Sequence, residues 1–291
     1  MAALALSTLY MLVKLANQHG VSLPEIMFWR QAMSVPVLLG WLAARGQLPS
    51  LHTTRLGSHA MRSIMGSLGM VVLFGSQILL PLPVATVFSF TTPLYAVILT
   101  ALVMREKVGP WRWLSVVLGF AGVLIIAQPW AGVGDIPPLG AAAGMATGLL
   151  VAIISLQIRD LTRTETPISV VFYFALFSSV FLLPLLPFVM VRHSGAVWAE
   201  IVLLGLVGTG AQVLLTAALR YGTAASVLVM DYTTLVWTTL YGWYVFTQMP
   251  PAHIWWGAPL IVAAGLVIAW REHRLHKLNQ RILAEAEAGA L

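Results

Sequence analysis

The stretch PVATVFSFTTPLYAVILTALVM, residues 83–104, runs for 22 positions without a charged side chain. A helix needs about 20 mostly apolar residues to cross roughly 30 Å of hydrocarbon. Pro83 opens the run, where its missing N–H costs nothing, and Pro93 divides it. Barrel strands would show apolar alternation over about ten residues, and none is present. The reading is a transmembrane helix whose backbone groups bond within the segment.

The same pattern recurs along the chain and predicts ten spans. They are Met1–Asn17, Pro24–Ala44, Met61–Leu79, Pro83–Met104, Pro110–Gln128, Pro138–Ile158, Thr166–Val191, Val197–Leu219, Thr223–Gln248 and Pro251–Trp270. Of the 291 residues 59% are hydrophobic and 9% charged, and mean hydropathy is +0.88. A soluble domain carries about 25% charged residues. Too few remain here to cover a water-facing surface, which excludes an ordinary soluble enzyme, a nucleic-acid-binding domain and a disordered chain. The absence of cysteine excludes disulfides, thiolate metal sites and Cys nucleophiles. The first span lacks a basic leader and nine more follow, so it is expected to be a retained helix rather than a signal peptide.

Charge sets the expected orientation. Alternate loops and the tail carry Arg45, Arg55, Arg62, Arg105, Lys107, Arg112, Arg159, Arg163, Arg220, Arg271, Arg274, Lys277 and Arg281, which is 13 of the 16 basic residues. The other side holds Arg192. An excess of Lys and Arg marks the cytoplasmic face, so both termini are expected there and the +6 net charge reports orientation. Trp41, Trp111, Trp113, Trp130, Trp198, Trp255, Trp256 and Trp270 fall at span ends, where interfacial anchors sit. In the tail, residues 271–291, Leu275, Leu278 and Ile282 recur at helical spacing, which predicts an amphipathic helix near the inner surface.

The two halves align on each other. Offset by 143 residues, Lys14 meets Gln157, Pro24 meets Pro167 and Arg30 meets Tyr173; offset by 140, Ala85-Thr-Val meets Ala225-Ser-Val. Each half, residues 1–132 and 133–270, holds five spans. Five is odd, so the second half enters the membrane upside down. Such inverted repeats characterise many secondary transporters, whose substrate site lies at mid-membrane between the repeats.

Polar residues within spans nominate a site. Asp231 stands eight positions into the ninth span, about 12 Å deep at the helical rise. It either binds substrate or a proton, or is a paired or protonated packing residue. Lys14 either snorkels to the outer interface or faces a cavity. Arg30 and Glu25 form an outer-end ion pair, snorkel, or clamp an anion. Ser63, Ser67, Met70, Phe74 and Gln77 share a face of the third span, and Gly205, Thr209, Gln212 and Thr216 share one in the eighth; both line a pathway or let helices pack closely. Phe90, Thr91, Thr92 and Tyr95 surround Pro93, where the helix is expected to kink. Gly140, Gly144 and Gly148 are expected to pack against a neighbouring helix. No phosphate-binding loop and no deep histidine is read, and no cofactor or metal is expected.

The segment Pro24 to Arg30, Ala85 to Pro93-Leu94, Arg105-Glu106, Gly119-Phe-Ala-Gly-Val-Leu, Leu206-Val-Gly-Thr-Gly and Ala264-Gly-Leu-Val together resemble the drug/metabolite transporter superfamily, EamA-type exporters. The second half departs from the pattern, with Gln248 opposite Glu106 and Thr233 opposite Pro93. The resemblance implies an all-α bundle of ten helices that exports small organic solutes by alternating access from a bacterial inner membrane. Within the superfamily the chain resembles the YddG-type exporters, which implies aromatic and other neutral amino acids as substrates. It also implies a cavity between the first, third, fourth, sixth, eighth and ninth helices, which carry Lys14, Phe74, Phe90, Gln157, Gln212 and Asp231. Asp231 would meet the substrate ammonium, Gln212 and Thr91 would hydrogen-bond, and Phe74, Phe90 and Tyr232 would form apolar walls, with Tyr95 beside them. The expected partners are a small-molecule substrate and membrane lipid, without nucleic acid, in a monomer or a dimer. A passive channel, or an exporter of drugs or sugars, is the alternative; a membrane enzyme lacks any nucleophile and base at one depth.

Overall fold

The computed structural model describes residues 1–102, 105, 109–128, 136–221, 224–248 and 250–288, the side chains of 224–230, 272, 273 and 275–288 excepted. The described residues form helices and connecting turns, with no strand. The helices are α1 (Ala2–Gln18), α2 (Leu23–Ala44), α3 (Leu56–Leu79), α4 (Leu82–Ser89), α5 (Thr92–Leu102), α6 (Pro110–Ala127), α7 (Pro138–Leu161), α8 (Pro167–Leu182), α9 (Leu186–Val189), α10 (Gly195–Tyr221), α11 (Ala224–Tyr244) and α12 (Ile254–Ala288). Eight segments are long and apolar enough to cross a membrane, counting α4 with α5 and α8 with α9 as single spans. Of the ten expected, α1, at 17 residues, and α11, which carries Asp231 and four threonines, stand outside that set.

Proline explains the two broken spans. Pro93 has no N–H for the Ser89 carbonyl and clashes with a continuous helix. The chain therefore tightens before it, and the Phe90 and Thr91 amides bond three residues back, to Val87 and Phe88 at 3.1 Å each. The Thr92 hydroxyl donates to the freed Ser89 carbonyl at 2.7 Å. That bond matters in hydrocarbon, where an unsatisfied carbonyl has no water to turn to. Pro184 and Pro187 likewise end α8 in a 3₁₀ turn ahead of α9. Met104 and Glu106 lie outside the described residues. The backbone of α12 continues as helix through the tail to Ala288, while the amphipathic face read there falls on side chains outside the description.

The helix contacts come in matched pairs. α3 lies on α7 as α10 lies on α1; α2 lies on α10 as α8 lies on α3; α4 and α5 lie on α7 as α11 lies on α1. α2 also packs on α8, α4 on α11, and α6 on α12. Glycine permits the closest approaches. A Cβ on Gly122 of α6 would lie 2.7 Å from the Gly257 carbonyl oxygen of α12. Gly140, Gly144 and Gly148 set α7 against Leu80, Phe88 and Thr91, the packing role expected of them.

The two ends are tied differently. Where α1 ends, the buried Glu25 carboxylate accepts from His193 Nε2 at 2.9 Å, and Lys14 Nζ donates to the Leu80 carbonyl. At the other end Arg55 pairs with Asp160, Thr53 donates to Glu165 at 2.6 Å, and Tyr173 donates to the Leu51 carbonyl at 2.6 Å. Two expectations are corrected. Glu25 pairs with His193 rather than with Arg30. Arg62, counted with the loop charges although the Met61–Leu79 span contains it, is buried within α3, which begins five residues earlier at Leu56.

Candidate substrate cavity

A cavity of about 360 Å³ lies inside the bundle. Its wall draws on α1, α2, α3, α4, α5, α7, α8, α10, α11 and α12. It reaches from mid-bundle to the end where α3 begins and α7 and α10 finish, with Arg62, Arg159 and Leu219 at that end. This covers the helices that the resemblance implied and adds α2, α8 and α12.

Five of the nine nominated residues come together on this wall: Phe74, Phe90, Gln212, Asp231 and Tyr232. Phe90 and Tyr232 meet edge to face, with ring centroids 4.9 Å apart. Phe90 stands in the break before Pro93, where a continuous helix would direct it elsewhere. Asp231 is half-buried, and among the described residues its carboxylate has neither a hydrogen-bond partner nor an ion-pair partner.

The other four stand off the wall. Lys14 is buried, bonded to the Leu80 carbonyl and 5.6 Å from the Phe246 ring, so it neither snorkels nor faces the cavity. Thr91 donates to the Phe88 carbonyl at 2.7 Å and packs on Gly148. Tyr95 sets its ring against Phe120, 5.4 Å away. Gln157 keeps Oε1 buried with no hydrogen-bond partner among the described residues.

The wall also carries Tyr10 and Arg62, which were not nominated, and Arg30, for which an anion clamp was one of the readings. Arg30 is 3% exposed and turns inward, not to the outer interface. It donates to Gln31 Oε1 at 2.8 Å, Met70 Sδ at 3.2 Å and Gln212 Oε1 at 3.1 Å. Arg62 is also 3% exposed, its guanidinium carbon 4.2 Å from the centre of the Phe174 ring. A signal for Arg62 existed: it stands at i, i+4 spacing with Gly66, Met70 and Phe74, on the face already nominated. Counting it as a loop charge hid that register.

Apolar spans around a charged, aromatic, mid-bundle cavity define a multi-pass membrane transport protein. The chain matches the EamA-like transporter family over residues 1–128 and 138–270, and it belongs to that family. It is 30% identical to a riboflavin transporter of Vibrio cholerae over 271 residues, 91% of this chain and 89% of that one. It is 28% identical to a pseudopaline exporter of Pseudomonas aeruginosa over 276 residues, 92% and 94% of the two chains. It is 27% identical to an S-adenosylmethionine uptake transporter of Rickettsia felis over 255 residues, 86% and 84%. A solved crystal structure shares the fold, with a TM-score of 0.65 at 21% identity over 94% of this chain and 97% of that one. None of these three relatives is named as an amino-acid exporter, so they support the superfamily and not the YddG-type subfamily.

Proposed function

We propose that the chain is a secondary transporter that carries a small aromatic metabolite across the bacterial inner membrane by alternating access. The observation that carries this reading is the cavity, which sets Tyr10, Phe74, Phe90 and Tyr232 beside Asp231, Arg30 and Arg62 within the bundle. Aromatic faces and edges hold a planar ring, and the few polar groups orient it.

Residues 1–132 and 133–270 act as two inverted repeats, with 271–291 as a cytoplasmic tail. The matched helix contacts and the two-part family match support this division. Transport then consists of rocking one repeat against the other around the site. The basic loops support cytoplasmic termini. In that orientation the cavity faces the cytoplasm and the Glu25–His193 end is shut, the state that loads a substrate for export.

An aromatic amino acid suits the opposite charges on the wall, its ammonium meeting Asp231. Riboflavin is the second reading, favoured by the Vibrio cholerae relative. Purified protein in liposomes should move labelled Phe or Trp, or riboflavin, with saturating kinetics. Flux at the empty-liposome level for all of them refutes the proposal, and flux that rises linearly with concentration makes the protein a channel. Asp231→Asn at matched expression should lower transport of whichever substrate is moved.

A further inference from the structure

The balance of charge on the cavity wall is uneven. Arg30, Arg62 and Arg159 line it, and among the described lining residues Asp231 is the one acid. Arg30 is held by amide and thioether acceptors that carry no charge, and its Nε has no partner. Arg62 has no hydrogen-bond acceptor at all among the described residues, and its Nε and Nη1 are fully buried. A buried, unpaired guanidinium is strongly destabilising, and a charge kept within a membrane protein generally marks a substrate or ion path. The Phe174 ring gives the Arg62 guanidinium a cation–π contact at 4.2 Å, which leaves its N–H donors without an acceptor.

The two guanidiniums occupy neighbouring levels of α3. Arg62 Nη1 lies over Gly66, where a Cβ would come within 2.0 Å of it, while Arg30 Nη1 bonds Met70 one turn further along. The two guanidiniums thus sit against successive turns of one helix, a turn being roughly 5.4 Å of rise. Arg30 also lies 5.8 Å from the Phe74 ring centre, so the oxyanion and an aromatic ring would be neighbours. Planar guanidinium forks match carboxylate and phosphate oxygens in pairs, which ammonium groups do not.

We propose that Arg62 and Arg30 form an oxyanion site, and that the transported aromatic molecule is therefore an acid bearing a carboxylate or a phosphate ester. The proposal rests on the reading of this cavity as an aromatic substrate site. It assigns the ring to Phe74 and Phe90 and the acid group to the two arginines. Gln212 and Gln31 hold Arg30 in place as positioning residues.

The test compares matched acidic and neutral ligands on the full chain in detergent, by equilibrium binding. One pair is indole-3-propionate against indole-3-propanamide, and the other is riboflavin 5′-phosphate against riboflavin. At least one acid should bind about tenfold or more tightly than its neutral partner, the size expected of charged hydrogen bonds. The pair that shows the gap says whether the group is a carboxylate or a phosphate. Arg62→Gln should remove the gap between acid and neutral ligand, while Arg62→Lys should keep part of it. Equal affinities within both pairs overturn the oxyanion site and leave the aromatic cavity standing. A gap that persists in Arg62→Gln overturns the role of Arg62. If no aromatic ligand binds in either form, the reading of the cavity itself fails. The wild-type comparison decides the charge question even where a variant does not fold.

Discussion

Replacing Gly122 by alanine tests the close backbone approach of α6 to α12. The new methyl would lie 2.7 Å from the Gly257 carbonyl oxygen, 2.9 Å from Ile261 Cγ1 and 3.1 Å from Leu260 Cβ. Ordinary contact begins at 3.4 Å, so α6 and the α12 backbone must part by about 0.7 Å, the difference between 3.4 and 2.7. A carbonyl cannot swing aside as a side chain does, so the shift spreads along both helices. Overpacking of this kind costs about 1–3 kcal/mol. Alanine returns up to about 1 kcal/mol of helix propensity, which blurs the single measurement. Gly210→Ala in α10 removes that ambiguity, because nothing lies within 4 Å of its added methyl. Propensity acts on both variants, so the difference between them, about 1–3 kcal/mol, is the packing contribution. At roughly 2–4 °C per kcal/mol for a chain of this size, Gly122→Ala should unfold roughly 2–12 °C below Gly210→Ala. Thermal unfolding in detergent, followed by tryptophan fluorescence, measures this. A Gly122→Ala midpoint at or above that of Gly210→Ala refutes the close α6–α12 approach.

Further outcomes follow from the ties at the two ends and from the break in the fourth span. Glu25→Ala strips His193 of its buried partner and should destabilise by about 3 kcal/mol or more in a denaturant titration. Arg55→Ala, whose pair with Asp160 is solvent-facing, should destabilise by at most about 1 kcal/mol; the reverse ranking contradicts the burial of the first pair. Thr92→Val leaves the Ser89 carbonyl unpaired and should cost about 1–2 kcal/mol, a loss that Pro93→Ala in the same chain recovers by restoring an N–H. Additive effects of those two changes would show that Thr92 does not substitute for the missing proton. Because the chain has no cysteine, Arg163→Cys and Ser194→Cys can each be labelled singly with an impermeant maleimide. The two should react from opposite sides of the membrane, and reaction from one side contradicts the proposed orientation.

The eight segments able to cross a membrane and the proline breaks were legible in the sequence because bilayer spanning is a local rule. Each helix satisfies its own backbone, and its length must match a fixed thickness. Pro93 announced a break in the fourth span for the same reason, although the exact exit, at Phe90 and Thr91, needed the hydroxyl of Thr92. Which faces of those helices meet was not legible. Glu25 finds His193 across 168 positions, and Arg30 finds Gln212 across 182. Neither partner is favoured by spacing or propensity over the other polar groups in the chain. Arg62 shows the limit most clearly. Its charge counted with the cytoplasmic loops, and the packing of α3 on α8, with Phe174 over the guanidinium, made it a buried wall residue instead. The sequence by itself determined how many apolar segments there are and where charge is scarce, since those depend on the chain's own residues and the solvent. Only the tertiary structure decided where each remaining charge points, because a charge in low dielectric is placed by the distant groups packed around it.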